Sequence, residues 1–132
     1  MNKIIVEKKS KYDFEKTVDK LKSEAELDGW SIPAIHDLQQ SLAKSGKSVR
    51  PVKVIEICKP AYSGQMLELN DERIISVMMP CRISVYEKND GNVYISLLNT
   101  ASMIEGMPEH IAKVMKAASD GTFDLVRSVE QN

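Results

Sequence analysis

Residues 81–98 read CRISVYEKNDGNVYISLL, two alternating apolar runs around Asn89-Asp90-Gly91, and the register of this hairpin can be deduced from side chains alone. A three-residue loop with Gly91 left-handed sets Val85 opposite Ile95 and Ile83 opposite Leu97 on one surface. Tyr86 then faces Tyr94, and Ser84 faces Ser96, on the other. A two-residue Asp90-Gly91 turn would pair Val85 with Ser96 and Ser84 with Leu97, which mixes the faces. Because a one-residue slip turns every side chain over, the three-residue loop is the consistent solution. It leaves a second face bearing Arg82, Tyr86, Tyr94 and Leu98 to meet solvent, a ligand or another subunit.

Upstream, VKVIEIC (52–58) is the most apolar branched run in the chain, and Val52–Ile57 is expected as a central strand. Pro60 suits the first position of a helix, and Tyr62, Met66 and Leu69 recur at helical spacing, so a helix of about two turns is expected over 61–69. Asn70-Asp71-Glu72-Arg73 reads as a polar turn. Residues 74–79 are apolar without alternation, and a strand continuing into Cys81 is the expectation there.

Farther out, Lys3–Glu7 carries Ile4, Ile5 and Val6 and reads as a first strand. Asp13 can cap a helix whose stripe is Phe14, Val18, Leu21 and Ala25, ending near Asp28 with Gly29 as the left-handed residue. Trp30–Ile35 is expected as a second strand, at an edge or bulged because Pro33 cannot donate to a ladder. His36 and Asp37 follow at its end, before a short helical turn over 38–44. Met107-Pro108 opens a last helix with the stripe Ile111, Val114, Met115 and Ala118, expected to stop at Asp120-Gly121, before a short docked tail containing Phe123, Leu125, Val126 and Val129.

The chain of 132 residues fits one domain, and its 18 basic and 19 acidic residues leave a formal charge of −1. No face or tail gathers the positive charge that nucleic acid phosphates require, so nucleic acid is not an expected partner. The amino terminus lacks an apolar core long enough for a secretory signal, and no segment reaches membrane-spanning length, so no membrane partner and a cytoplasmic location are expected. The two cysteines are then reduced at rest, and a disulfide between them is a redox event rather than a staple. No Walker loop, dinucleotide-binding glycine pattern or serine nucleophile elbow is present.

The runs GWSIPAIHDLQQSL, VKVIEICKP and MMPCRISVYEKNDGNVYISLLN, with a terminal helix containing KVM, resemble the domain-of-unknown-function 302 family over nearly the whole chain. The resemblance implies an α+β fold, a mainly antiparallel sheet with helices packed on one face, of the TATA-box-binding-protein-like β-α-β4-α class. It also implies a homodimer, and no activity. Likeness to a DNA-binding fold class says nothing about DNA here. The positions matching the family's motifs are Cys58, Cys81 and the pair His36 and Asp37.

Cys58 is the sharpest chemical candidate. It precedes a proline-initiated helix whose dipole favours a thiolate, and Lys59 adds a positive charge, so a lowered pKa is expected of it. The competing reading is a small buried hydrophobe, which applies equally to Cys81. The two thiols approach only if the strands ending and starting with them are antiparallel neighbours. His36 joins them only if its strand runs parallel to the third. A site of His36, Cys58 and Cys81 would suit zinc, copper(I) or haem iron, but its spacing lacks the close pairs of a zinc motif, and the sequence names no cofactor. His36 and Asp37, as neighbours on a strand, point to opposite faces, so Asp37 is more simply a helix cap. His110 reads as a surface residue. Met78, Met79, Met103 and Met107 are either core filling or an adaptable apolar surface.

Three functional readings follow. The leading one is a homodimer that binds a small apolar or redox-active molecule, with His36, Cys58, Cys81, Arg82, Tyr86 and Tyr94 as ligand-binding candidates. The second is a thiol redox enzyme or sensor with Cys58 as nucleophile and Cys81 as resolving partner. The third is an interaction module whose tyrosine-bearing hairpin face serves dimerisation.

Overall fold

The computed structural model describes residues 4–132. Five strands form one antiparallel sheet: β1 (Ile5–Lys9), β2 (Ser31–Asp37), β3 (Val52–Cys58), β4 (Cys81–Glu87) and β5 (Val93–Leu98), in the spatial order β1-β5-β4-β3-β2. The helices are α1 (Phe14–Leu27), α2 (Leu38–Ala43), α3 (Pro60–Leu67) and α4 (Glu109–Arg127), with 3-10 segments at Asp71–Met78 and Thr100–Ser102. Without α2, α3 and the 3-10 segments the order is β-α-β4-α, the expected α+β class.

The hairpin has the deduced register: Ile83 pairs with Leu97, Ser84 with Ser96, Val85 with Ile95 and Tyr86 with Tyr94. Gly91 has φ +80°, and its N–H donates to Lys88 O at 2.9 Å, closing the turn that the loop requires. Ile83, Val85, Ile95 and Leu97 are buried with Ile55 and Ile57 of β3, and α1 and α4 cover this face with Val18, Leu21, Leu125 and Val126. Val85 and Ile95 are 0% exposed, and each such side chain contributes roughly 1.5–3 kcal/mol by leaving water.

α1 begins and ends on local signals. Asp13 Oδ1 accepts from the Lys16 N–H at 2.8 Å. At the other end Gly29 takes φ +83°, and the amides of Gly29 and Trp30 donate back to Glu26 O and Ala25 O at 3.2 and 2.9 Å. This paired closure satisfies carbonyls that the helix would otherwise leave open. It also delivers Trp30, 4% exposed, under the helix layer.

Several expectations are corrected. The first strand is shifted to Ile5–Lys9, and Lys3 lies outside the described residues. β2 continues through His36 and Asp37 because both pair with β3, opposite Val54 and Lys53. It is an edge strand with a register irregularity between Ser31 and Ala34, around Pro33. β3 is interior, but the central strand is β4. Residues 74–79 are not a strand: Asp71–Met78 is a 3-10 helix that buries Ile75 and leaves Ile74 and Val77 exposed. α4 does not stop at Asp120-Gly121. It runs on to Arg127, and the expected tail is its last turns, burying Leu125 and Val126.

Candidate functional site

A second apolar cluster of Met66, Ile75, Ile111 and Met115 lies where α3, the Asp71–Met78 segment and the start of α4 meet, away from the main core. Between it and the sheet end, where β4 starts and β5 finishes, is a cleft of about 210 Å³. Its wall carries six sulfur side chains: Met66, Met78, Met79, Met103, Met115 and Cys81. Three hydroxyls, Thr100, Ser119 and Thr122, also line it, with Arg82 and Leu98 from the strand ends. Thr122 Oγ1 donates to Ser119 O at 2.7 Å along α4. Thr100 Oγ1 is buried and has no hydrogen-bond partner among the described residues. A buried hydroxyl without a partner is costly, and among the described residues Thr100 Oγ1 is the one such side-chain atom.

β3 and β4 are antiparallel neighbours, which brings the ends bearing Cys58 and Cys81 to the same end of the sheet. Ile57 is the residue paired with Cys81, so Cys58 lies one position beyond, and the strand pleat aims the two side chains oppositely. Both are free thiols. Cys81 packs against the main core and lines the cleft. Burial pushes its pKa above the ordinary thiol value, and the neighbouring charge of Cys58 adds to that, so Cys81 is held as the neutral thiol.

Cys58 is outside the cleft wall. Its Sγ is 3.5 Å from Ser63 Oγ on α3. The charge expected to serve it is directed elsewhere: Lys59 Nζ lies 3.4 Å from Asp28 Oδ2 and over the rings of Trp30 and Tyr62, at 5.3 and 5.7 Å from their centroids. The Tyr62 and Ser63 amides at the start of α3 donate to Lys59 O at 2.9 and 3.1 Å, so neither is aimed at the thiol.

His36 does not join the thiols, because β2 runs antiparallel to β3 and sets it opposite Val54. It sits instead on the sheet face opposite α1 and α4, where His36 Nε2 is 3.0 Å from Glu56 Oε2 and Arg82 Nε is 3.7 Å from the same oxygen. Tyr86 and Tyr94 stack on that face at 6.2 Å between centroids. Tyr86 donates to Glu7, Lys88 Nζ donates to Glu7 Oε1 at 2.9 Å, and Tyr94 donates to Asp90 Oδ2 at 2.6 Å. The Tyr86 and Lys88 hydrogen bonds lower the Glu7 pKa, and the Tyr94 hydroxyl lowers that of Asp90 to about 2. Burial and then the Glu7 hydrogen bond raise the Tyr86 pKa.

The six candidate residues therefore divide. Cys81 lines the cleft; Arg82 borders it, but its head group pairs with Glu56 on the sheet face that also carries His36, Tyr86 and Tyr94; Cys58 stands against α3. Met78, Met79 and Met103, singled out in the sequence, do share one surface, and Met107 packs beside it. Thr100, Ser119, Thr122, Met66 and Met115 were missed. Met66 and Met115 were recognisable only as stripe residues of their helices, and nothing local distinguishes Thr100. Among the described residues no group of three or more His, Cys, Asp or Glu could hold a metal ion, and no helix is long and apolar enough to cross a membrane.

Residues 6–126 match the family described as Domain of unknown function DUF302. Among solved structures, the chain is similar to the crystal structure of an uncharacterized conserved DUF302 protein from Bacillus stearothermophilus. The TM-score is 0.81 at 15% identity, covering 92% of this chain and 94% of that one. At that identity the likeness speaks for the fold alone. No curated protein matches the chain.

Proposed function

The chain belongs to the DUF302 family, and from that premise, which supplies a fold and no activity, we propose that it is a binding domain whose cleft takes a small apolar molecule. The observation that carries the reading is the cleft of about 210 Å³ beside Cys81, apolar except for a few convergent polar groups that include the unpartnered hydroxyl of Thr100. Methionine thioethers are flexible and polarisable, which suits a wall that re-forms around a guest. The neutral Cys81 thiol behaves there as a small apolar group.

Methionine-methyl NMR of the labelled protein tests this with benzene as the probe. The methyls of Met66, Met78, Met79, Met103 and Met115 should shift on titration. Unmoved cleft methyls at benzene saturation would remove the reading.

A second reading rests on the antiparallel pairing of β3 with β4, which puts Cys58 and Cys81 at one end of the sheet, and it requires the chain end at Cys58 to turn, because the two side chains start on opposite faces. Two thiols there can surrender two electrons and two protons to an added disulfide or diamide oxidant, forming one S–S bond. Mass spectrometry after diamide treatment reports it as a loss of two hydrogens within one chain. Free thiols that persist would exclude the pair.

The partner we propose is a second copy meeting through the sheet face opposite α1 and α4, supported by the partly exposed Tyr86 and Tyr94 and by Leu98, 42% exposed, at its border. Sedimentation of the Tyr86→Ala/Tyr94→Ala double variant tests it. The expected result is a shift to monomer, and an unchanged sedimentation coefficient would reject this face.

A further inference from the structure

The two ends of the sheet carry opposite charge. α2 and the loop after it join β2 to β3 at the end where the hairpin turns, whereas α3 and the Asp71–Met78 segment join β3 to β4 at the other end, where β5 also finishes. Residues 38–55, at the first end, hold four basic residues and no acidic one. At the second, residues 60–81 and 99–112 together hold five acidic residues, a single arginine, Arg73, and no lysine. Arg50 is held by Glu87 at 2.6 Å, but Lys44 and Lys47 enter no ion pair among the described residues, and neither do Glu68, Asp71 and Glu72.

Each end also exposes apolar side chains. α2 buries none of its residues, and Leu38 and Leu42, one turn apart, are exposed together with Val49 of the following loop. Gln39 Nε2 donates to Val49 O at 3.1 Å, which holds that loop against the helix. At the other end Leu67 is exposed, and Ile74 and Val77 are 82% and 86% exposed. Three residues apart on a 3-10 helix, these two stand in line on one ridge. An exposed leucine by itself needs no explanation, but apolar side chains grouped inside a charged rim have the composition of a contact surface.

We propose that the α2 end of one copy docks on the Asp71–Met78 end of a second copy, with Leu38, Leu42 and Val49 against Leu67, Ile74 and Val77, and with Lys44 and Lys47 facing Glu68 and Asp71. A second copy is favoured because the complement of each patch, in charge and in apolar content, lies on the same chain. Two unpaired lysines fall short of the roughly six to ten phosphate contacts of a strongly salt-dependent nucleic acid complex. The contact is heterologous, so each copy keeps one free end for the next, and it uses none of the sheet-face residues. Built on few charges, it is weak and fades as salt rises.

Amide NMR of the isotope-labelled protein over a dilution series at low ionic strength tests this. The amides of 38–49 and 67–77 should shift together on one binding curve that added salt weakens, whereas the sheet-face contact is read at 82–86 and 94–98. Lys44→Glu/Lys47→Glu should weaken the contact about tenfold or more and still the amides of 67–77, which lie at the opposite end of its own fold. Glu68→Lys/Asp71→Lys should do the same to the amides of 38–49. The first variant has two acidic ends and the second two basic ends, so mixed in equal amounts they should associate again. Ile74→Ser/Val77→Ser, at positions in open solvent, should weaken association in a protein that keeps its fold. Ends that do not respond to dilution, a response at one end only, a mixture that fails to associate, or association that survives Ile74→Ser/Val77→Ser overturns the proposal. Shifts confined to 82–86 and 94–98 overturn it while the sheet-face contact stands.

Discussion

Gly121 of α4 packs directly beneath the indole of Trp30: a Cβ built on Gly121 would stand 2.8 Å from Trp30 Cζ2. Real side chains do not come that close, so the helix accepts glycine where its own propensity would ask for alanine. Alanine gains about 1 kcal/mol in an exposed helix interior. Here the added methyl must move an indole that is 4% exposed, tilted against Tyr62 at 5.9 Å, and tied through Nε1 to Asp28 Oδ2 at 3.1 Å. Overpacking of this kind costs about 1–3 kcal/mol. Gly121→Ala should therefore lower the urea midpoint, with a changed near-ultraviolet spectrum from Trp30. A raised midpoint would mean that the indole yields freely.

The same contact explains where sequence reading stopped. Asp120-Gly121 has the composition of a helix end, and nothing in the neighbouring residues says that the glycine answers to an indole 91 positions earlier in the chain. The 3-10 helix at Asp71–Met78 was lost for a related reason, since its apolar residues have no clean period and its buried member, Ile75, answers to Met66 and Met115 in other helices. By contrast the hairpin was fully legible, because alternation, turn chemistry and register all lie within 18 consecutive residues. The candidate site was half legible. Cys81 and Arg82 stand out at a strand start, whereas the cleft itself is assembled from α3, both 3-10 segments, two strand ends and α4, and exists only once they are docked.

Gly91 is the position where turn chemistry and register meet. Its φ of +80° is a conformation that residues with a side chain adopt at a cost, although an added Cβ would meet open space. Gly91→Ala should thus destabilise through the backbone alone, by about 1–2 kcal/mol. Gly91→Asn should recover part of that loss, because Asn tolerates the left-handed region. Equal stability of all three proteins in guanidinium titrations would contradict the three-residue loop.

Asp90, beside that glycine, should report the loop's integrity through its titration. Its carboxylate accepts from the Tyr94 hydroxyl at 2.6 Å and from the Asn92 N–H at 2.8 Å, and its pKa falls from 3.8 to about 2. A depressed folded-state pKa means that the carboxylate's contribution to stability is complete above about pH 4 and is lost as the pH falls towards 2. Carbon-detected NMR should follow Asp90 to a midpoint near 2 in the native protein. Tyr94→Phe should move it upward, because the largest cause has gone. An unchanged midpoint would assign the shift to the backbone donor instead.

Cys81 should show the opposite sign. Burial raises its pKa above the ordinary value of 9.0, so the folded state holds the proton more tightly than the unfolded chain does. The stabilisation is complete below about pH 9, where both states are protonated, and is lost as the pH rises through the folded value. Stability should consequently decline in mild alkali beyond what the tyrosines and lysines produce, and Cys81→Ala should remove that part of the slope. Iodoacetamide kinetics give an independent check, since only the thiolate reacts. In the Cys58→Ser protein the reaction at Cys81 should begin at somewhat lower pH, because the neighbouring thiolate's repulsion has gone, yet it should still lag behind an unfolded control, because burial is the larger cause. Coincidence of the Cys58→Ser and wild-type profiles would show that the two thiols are electrically independent. That result would count against the reading in which Cys58 and Cys81 act as a redox pair.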